Sequence, residues 1–264
     1  QFSAQRGGFL NGTSQQWVDD LLPLVIDEGM STFILMGDDS RTLEQFAREV
    51  MPALREAAER ELPELSSGKQ IRSAAAKAKR REGIDYENVP APLVDTVIEP
   101  GDNAYARVRS TYLRGGSPGI VFQVRNTAEV VEALAYARQH PHLPLSIRSG
   151  GHGISGRSTN DGGIVINLSK LNTIEVLDQA TRRVRIGAGA RWMDVAAALA
   201  PYGWALSSGD YGGVGVGGLA TAGGVGWLAR EHGLTIDHLR AVEMVLADGS
   251  VVRADEQENA DLFW

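Results

Sequence analysis

Between Ser14 and Glu28 the apolar positions Trp17, Val18, Leu21, Leu22 and Val25 recur at the three- and four-residue intervals of a helix face. Gly12, Thr13 and Ser14 precede them as capping residues, and Gly29 ends the predicted helix. Phe33, Ile34, Leu35 and Met36 form a short apolar run that predicts a strand. Leu43, Phe46, Ala47, Val50, Met51 and Leu54 then return to helical spacing. Helix, apolar strand, helix is the pattern of a parallel sheet covered by helices. One such unit cannot bury its own faces, so we expect the end of a larger α/β domain.

Residues 61–93 change character, with Pro63, Ser66, Ser67, Gly68, an alanine run and the cations Lys69, Arg72, Lys77, Lys79, Arg80 and Arg81. They read as a linker with a solvated basic face. From Gly119 the pattern sharpens. Ile120 to Phe122 predict a strand, Asn126 is an N-cap with Glu129 three residues on, and Val130, Val131, Leu134 and Ala135 mark one helix face. Further strands are predicted at Leu145 to Ile147, Ile164 to Leu168, Ile174 to Leu177 and Val184 to Ile186, the last two joined by a turn over residues 178–181. Trp192 to Leu199 read as a helix closed by Pro201 and Gly203. Ala241 to Leu246 and Val251 to Val252 pair across Asp248-Gly249, a strong hairpin signal.

Composition narrows the chemistry. The chain of 264 residues is 43% hydrophobic and 22% charged, the profile of a globular protein, and its length suits about two domains. A net charge of -7 argues against a nucleic-acid or anionic-membrane surface, and no run reaches the roughly 18 apolar residues of a membrane span. Cysteine is absent, which removes disulfides, thiolate metal sites and thiol nucleophiles together. The opening QFSAQRGGFL has no basic segment followed by an apolar core, so a cytoplasmic location is expected. Gln1 at one end and Trp264 directly after a hairpin at the other read as cut ends of a longer protein.

Gly213, Gly215 and Gly218 match the G-x-G-x-x-G spacing, with Asp237 about 20 residues on. That fingerprint needs a strand before it and a helix after it. Here the turn-rich Ser207-Ser208-Gly209-Asp210-Tyr211 precedes, and Gly223, Gly224 and Gly226 interrupt the helix that should follow. Nine glycines between Gly209 and Gly226 are better suited to a large flat cofactor lying against bare backbone. His152 stands in a second glycine-rich turn, Arg148-Ser149-Gly150-Gly151-His152-Gly153, at the end of a predicted strand. His140, His142, His232 and His238 share no metal-ligand spacing with it.

Residues 148–153, followed by Thr159-Asn160-Asp161-Gly162-Gly163-Ile164-Val165-Ile166-Asn167-Leu168, resemble the first FAD-binding segment of the vanillyl-alcohol oxidase and p-cresol methylhydroxylase superfamily. Val214-Gly215-Val216-Gly217-Gly218-Leu219-Ala220 through Gly226, then Gly233-Leu234-Thr235-Ile236-Asp237, resemble the second. Within it the berberine bridge enzyme-like oxidases, in particular the 6-hydroxy-D-nicotine oxidase-like branch, are the best likeness, and the terminal residues 259–264 match as well. The resemblance covers residues 118–264.

It implies an α+β fold, a two-subdomain FAD-binding domain of the p-cresol methylhydroxylase type. It also implies a bond between the His152 imidazole and the 8α carbon of FAD, since a neutral imidazole nitrogen is a competent nucleophile. Cofactor contacts are then expected from Arg148, Ser149, Gly150, Gly151, His152, Gly153, Ile154 and Ser155. A second set is expected from Ser208, Gly209, Gly213, Val214, Gly215, Gly217, Gly218, Leu219, Thr221, Gly224, Val225 and Gly226. The implied reaction oxidises a small organic substrate at a C–H next to N or O, with O2 as acceptor. Some relatives carry a second tether through a cysteine just before the V-G-V-G-G segment. Tyr211 stands there in this chain, so a single linkage is implied. No catalytic base is assigned.

The amino-terminal segment resembles the carboxyl end of a luciferase-like flavin-dependent monooxygenase, a (β/α)8 barrel. The likeness rests on Gly12-Thr13-Ser14, Trp17-Val18-Asp19-Asp20-Leu21, residues 29–35 and residues 46–55. The implied order is a partial α/β barrel end over residues 1–60, a linker over 61–93 and the FAD-binding domain over 94–264. Two other readings stay open: a luciferase-like monooxygenase with an accessory FAD domain, and a nonenzymatic flavin-binding module.

Overall fold

The computed structural model describes residues 9–28, 30, 32–35, 39–61 and 72–264. The chain divides into two compact units, Gln1–Arg80 and Arg81–Trp264.

In the first unit, helix α1 (Ser14–Ile26) starts at Thr13, whose hydroxyl accepts from the Gln16 N–H while the Gln16 carboxamide accepts from the Thr13 N–H. This reciprocal cap satisfies two otherwise orphaned donors. Helix α2 (Ser40–Gln45) runs through a π turn, Phe46–Val50, into α3 (Met51–Glu61). Trp17, Val18 and Leu21 pack on Phe46, Val50 and Leu54, with Trp17 edge-on to Phe46 at a centroid distance of 5.7 Å. The apolar run after α1 does not become the expected strand over residues 32–35. Phe33 and Leu35 turn into this core while Ile34 is exposed, which is strand-like alternation. No strand is assigned among the described residues of this unit. Met36 and Gly29 lie outside the described residues. Within the expected linker, Ser73 caps a single helical turn, α4 (Ala74–Lys77).

The second unit is built on a four-stranded sheet of order β1-β2-β4-β3, with β1 (Val97–Ile98), β2 (Ile120–Gln123), β3 (Leu145–Arg148) and β4 (Ile164–Asn167). β1 is antiparallel to β2, and the other pairings are parallel. Both central strands are buried on both faces, which their unbroken apolar sequences require. Ile98, Val121 and Val165 face Tyr105 and Val108 of α5 (Tyr105–Val108). Ile120, Phe122, Ile164 and Ile166 face α6 (Thr127–Arg138). On α6 the buried apolar side chains are Ala133, Tyr136 and Ala137, with Val130 and Leu134 partly buried beside them. Ala135, expected on that face, is exposed. Part of the stretch read as a linker also joins this core: Leu93 is fully buried and Ile84, Tyr86 and Val89 pack on it. The Tyr136 hydroxyl donates to the Asp85 carbonyl at 2.7 Å, tying the two together.

Beyond the sheet come a hairpin of β5 (Ile174–Asp178) and β6 (Arg183–Ile186), helix α7 (Trp192–Leu199) and the short helices α8 (Val216–Ala220) and α9 (Ala229–His232). A second hairpin, β7 (Ala241–Val245) and β8 (Val251–Asp255), leads to α10 (Ala260–Phe263). Ala190, Trp192, Val195, Leu199 and Val216 form the core here, with Ile174, Val184 and Ile186 of the first hairpin packed on it. Among the described residues no helix is long and apolar enough to cross a membrane.

Candidate functional site

β3 delivers the chain into the His152 turn. The Arg148 carbonyl still accepts from Leu168 N–H at 2.7 Å, and the ladder then stops. Gly151 takes φ +71°, where a side chain would be strained. The N–H groups of Gly150, Gly151, His152 and Gly153 meet no acceptor among the described residues. Successive free backbone donors in one turn form a concave binding surface for an anion.

The second glycine segment comes to the same place. A Cβ on Gly150 would run into the backbone nitrogen of Gly215, and one on Gly215 would run into Gly150. The two backbones are therefore in direct contact. Residues 188–193 hold this crossing from below: Val216 N–H donates to Ala190 O at 2.8 Å, Trp192 N–H to Val214 O at 3.1 Å and Gly217 N–H to Ala188 O at 3.1 Å. The Ser149 hydroxyl donates to Ala188 O at 2.6 Å, so the first segment rests on the same support. Nothing lies within 4 Å of the Cβ position of Gly218, which leaves its face open.

The half-buried His152 ring has two tyrosines as neighbours. Tyr112 is stacked on it, centroids 4.9 Å apart and planes 17° from parallel, and Tyr211 is tilted at 5.6 Å and 50°. Arg148 is half-buried, its Nη1 donating to Val108 O at 2.6 Å. Burial first, and the neighbouring Arg191 guanidinium second, hold its pKa below the usual arginine range. The described residues contain no cluster of three or more His, Cys, Asp or Glu able to hold a metal ion.

Of the residues singled out in the sequence, 148–152 and 211–217 are thus brought together. Ser208 and Gly209 meet Gly226 and Leu219 at one end of the second segment, and Gly224 O accepts from Thr235 N–H at 3.0 Å. The Thr221 hydroxyl is turned back onto Gly217 O at 2.8 Å. Ile154, Ser155 and Val225 are exposed. The G-x-G-x-x-G spacing has no strand before it, and Asp237 accepts from Leu234 N–H in its own turn at 2.7 Å. Sequence reasoning missed Tyr112. It lies 40 residues before His152, and its one signal is an aromatic side chain in a loop between α5 and β2.

A sheet edge ending in a donor-rich turn, crossed by bare glycine backbone, defines a protein that holds a large anionic cofactor. The family model described as FAD binding domain matches residues 118–255, and the chain belongs to that family. (R)-6-hydroxynicotine oxidase of Paenarthrobacter nicotinovorans is 34% identical over 177 residues, 66% of this chain and 38% of that protein. The crystal structure of 6-hydroxy-D-nicotine oxidase from Arthrobacter nicotinovorans superposes with a TM-score of 0.60 at 35% identity, over 64% of this chain and 37% of that one. Glucooligosaccharide oxidase from Acremonium strictum, described with 6-S-cysteinyl, 8α-N1-histidyl FAD, gives a TM-score of 0.59 at 32% identity, over 64% and 36%. The fold is the α+β FAD-binding fold of the p-cresol methylhydroxylase type. The chain spans less than two-fifths of the length of these relatives.

Proposed function

We propose that this chain is the FAD-holding part of an oxidoreductase whose flavin is tethered to His152. The enzyme oxidises a small organic substrate at a C–H next to N or O and passes the electrons to O2. The observation that carries this reading is the crossing of Gly150 on Gly215 with the His152 ring beside it. Backbone approaches backbone there with no Cβ between, as a bulky cofactor lying on main chain requires. The relatives named for nicotine and sugar oxidation support the substrate class.

The donor set fits the cofactor. The free N–H groups of residues 150–153 and the cationic Arg148 suit a pyrophosphate. The open face at Gly218, beside the crossing of Gly150 on Gly215, suits a flat ring system. FAD, when bound, supplies a two-electron acceptor for hydride, chemistry that no side chain of this protein offers. The chain's own task is to hold and orient it. Ser149 braces the His152 turn on Ala188, and Tyr112 and Tyr211 limit the rotation of the imidazole that makes the bond.

The test is acid denaturation of the full-length protein followed by electrophoresis under ultraviolet light. Flavin fluorescence should migrate with the chain and vanish in His152→Ala. FAD freed by acid from the wild type would remove the tether and leave the FAD fold. No flavin at all would remove the oxidoreductase reading.

For the first unit we infer the end of a luciferase-like barrel over residues 1–60, joined through 61–93 to the FAD-binding part over 94–264. The amphipathic packing of α1 on α3 supports it. Turnover that depends on reduced flavin from an NAD(P)H reductase would show this unit to belong to an active monooxygenase.

A further inference from the structure

The geometry points to Tyr112 as a positioning residue that sets the plane of the His152 imidazole for attachment to the flavin, a step that rests on the tethered-flavin reading above. Tyr112 belongs to the loop between α5 and β2, and that loop is strapped at both ends to the segment carrying His152. Before Tyr112, the Arg148 guanidinium donates to Val108 O at 2.6 Å and the Thr159 hydroxyl to Arg109 O at 2.6 Å. After it, Arg114 pairs with Asp161 at 3.1 Å, and Ser117 donates to Asp161 through its hydroxyl at 2.6 Å and its N–H at 2.9 Å. At the apex the Tyr112 N–H donates to Gly151 O at 3.0 Å, one residue before the histidine.

These bonds fix the backbone of Tyr112 against the turn, so the near-parallel stack on His152 follows from the strap. The phenol is otherwise 69% exposed. An aromatic side chain left this exposed gains little from burial, and its ring partner of near-parallel geometry is the imidazole. Tyr211 lies by the same imidazole at a steeper angle. Contact with two rings restricts the rotation of the imidazole about χ2. Holding a nucleophile in the attacking orientation raises the rate of bond formation.

Attachment joins an imidazole nitrogen to the 8α carbon of FAD. One N–H and one C–H are lost, and the two protons and two electrons pass to O2, which leaves as H2O2. Tyr112 takes no part in that exchange.

The experiment reconstitutes the flavin-free full-length protein with FAD and follows acid-stable flavin on the chain over time, with reversible FAD binding measured before attachment. Tyr112→Phe should attach at the wild-type rate. Tyr112→Ala and Tyr112→Leu should attach about tenfold more slowly, the scale of one aromatic pair, with reversible binding unchanged. Attachment by the Leu variant at the wild-type rate would overturn the proposal, because bulk without a ring face would then suffice. The ring-current shift of the His152 proton signals in the flavin-free protein gives a second readout. It should be present in the wild type and the Phe variant and reduced in the Leu variant, where only Tyr211 remains beside the imidazole, and its absence from the wild type would also overturn the proposal. Acid-labile flavin in the wild type, with the ring-current shift intact, would instead count against the tether itself and take the attachment role of Tyr112 with it.

Discussion

A single methyl group tests the crossing of the two glycine segments. Gly150 and Gly215 each occupy the space that the other's Cβ would need, and the obstructing atoms are backbone. Backbone cannot swing aside as a side chain can, so Gly150→Ala and Gly215→Ala should each cost about 1–3 kcal/mol of stability. Both should also lose FAD. Gly218 is the control. It sits in α8 with nothing within 4 Å of its Cβ position. Gly218→Ala should leave the flavin-free protein as stable as before or stabilise it by about 0.5–1 kcal/mol, because alanine loses less conformational freedom in a helix. Thermal unfolding of the three variants without cofactor separates these outcomes, and equal losses in all three would mean that backbone contact is not what selects glycine.

At the scale of elements, the end of the strap after Tyr112 is held by one carboxylate. The Ser117 hydroxyl and then the Arg114 guanidinium hold the Asp161 pKa below its ordinary value of 3.8. A depressed carboxylate stabilises the folded state above the unfolded value and ceases to do so as pH falls through the folded one. The strap should therefore be intact at pH 7 and loosen below about pH 4. Hydrogen exchange over residues 109–117 reads this directly. Asp161→Asn should raise exchange at neutral pH, and the difference from the wild type should shrink toward acid. The helices and hairpins that frame the strap could be read from sequence because each has a local cause: Asn126 capping α6, Gly249 at φ +92° in the β7–β8 turn, helical spacing in α7. The strap had no such signal. Its partners Tyr112–Gly151 and Ser117–Asp161 lie about 40 residues apart, and the second pair continues the parallel pairing of β2 with β4. Near Phe33 the opposite holds: the alternation of Phe33, Ile34 and Leu35 is strand-like, yet residues 32–35 are not assigned as a strand.

For the whole molecule, the glycine segments could be found in the sequence because bare backbone leaves a compositional mark, but their mutual contact could not. It depends on residues 188–193 carrying both. A tether at that crossing changes how cofactor and stability are linked. A ligand that binds the folded state reversibly stabilises it in proportion to the logarithm of its concentration, about 1.4 kcal/mol for each tenfold excess over Kd. A covalently held ligand stays with the chain on unfolding, so added FAD has nothing further to saturate. The unfolding temperature of the loaded wild type should therefore not respond to added FAD, whereas His152→Ala should be less stable without it and gain stability steadily as FAD is raised. Differential scanning calorimetry over three decades of FAD concentration measures both slopes. A wild type that responds as the variant does would place FAD in ordinary reversible equilibrium, with the glycine crossing as its binding surface and His152 as a neighbour of the cofactor and not its anchor.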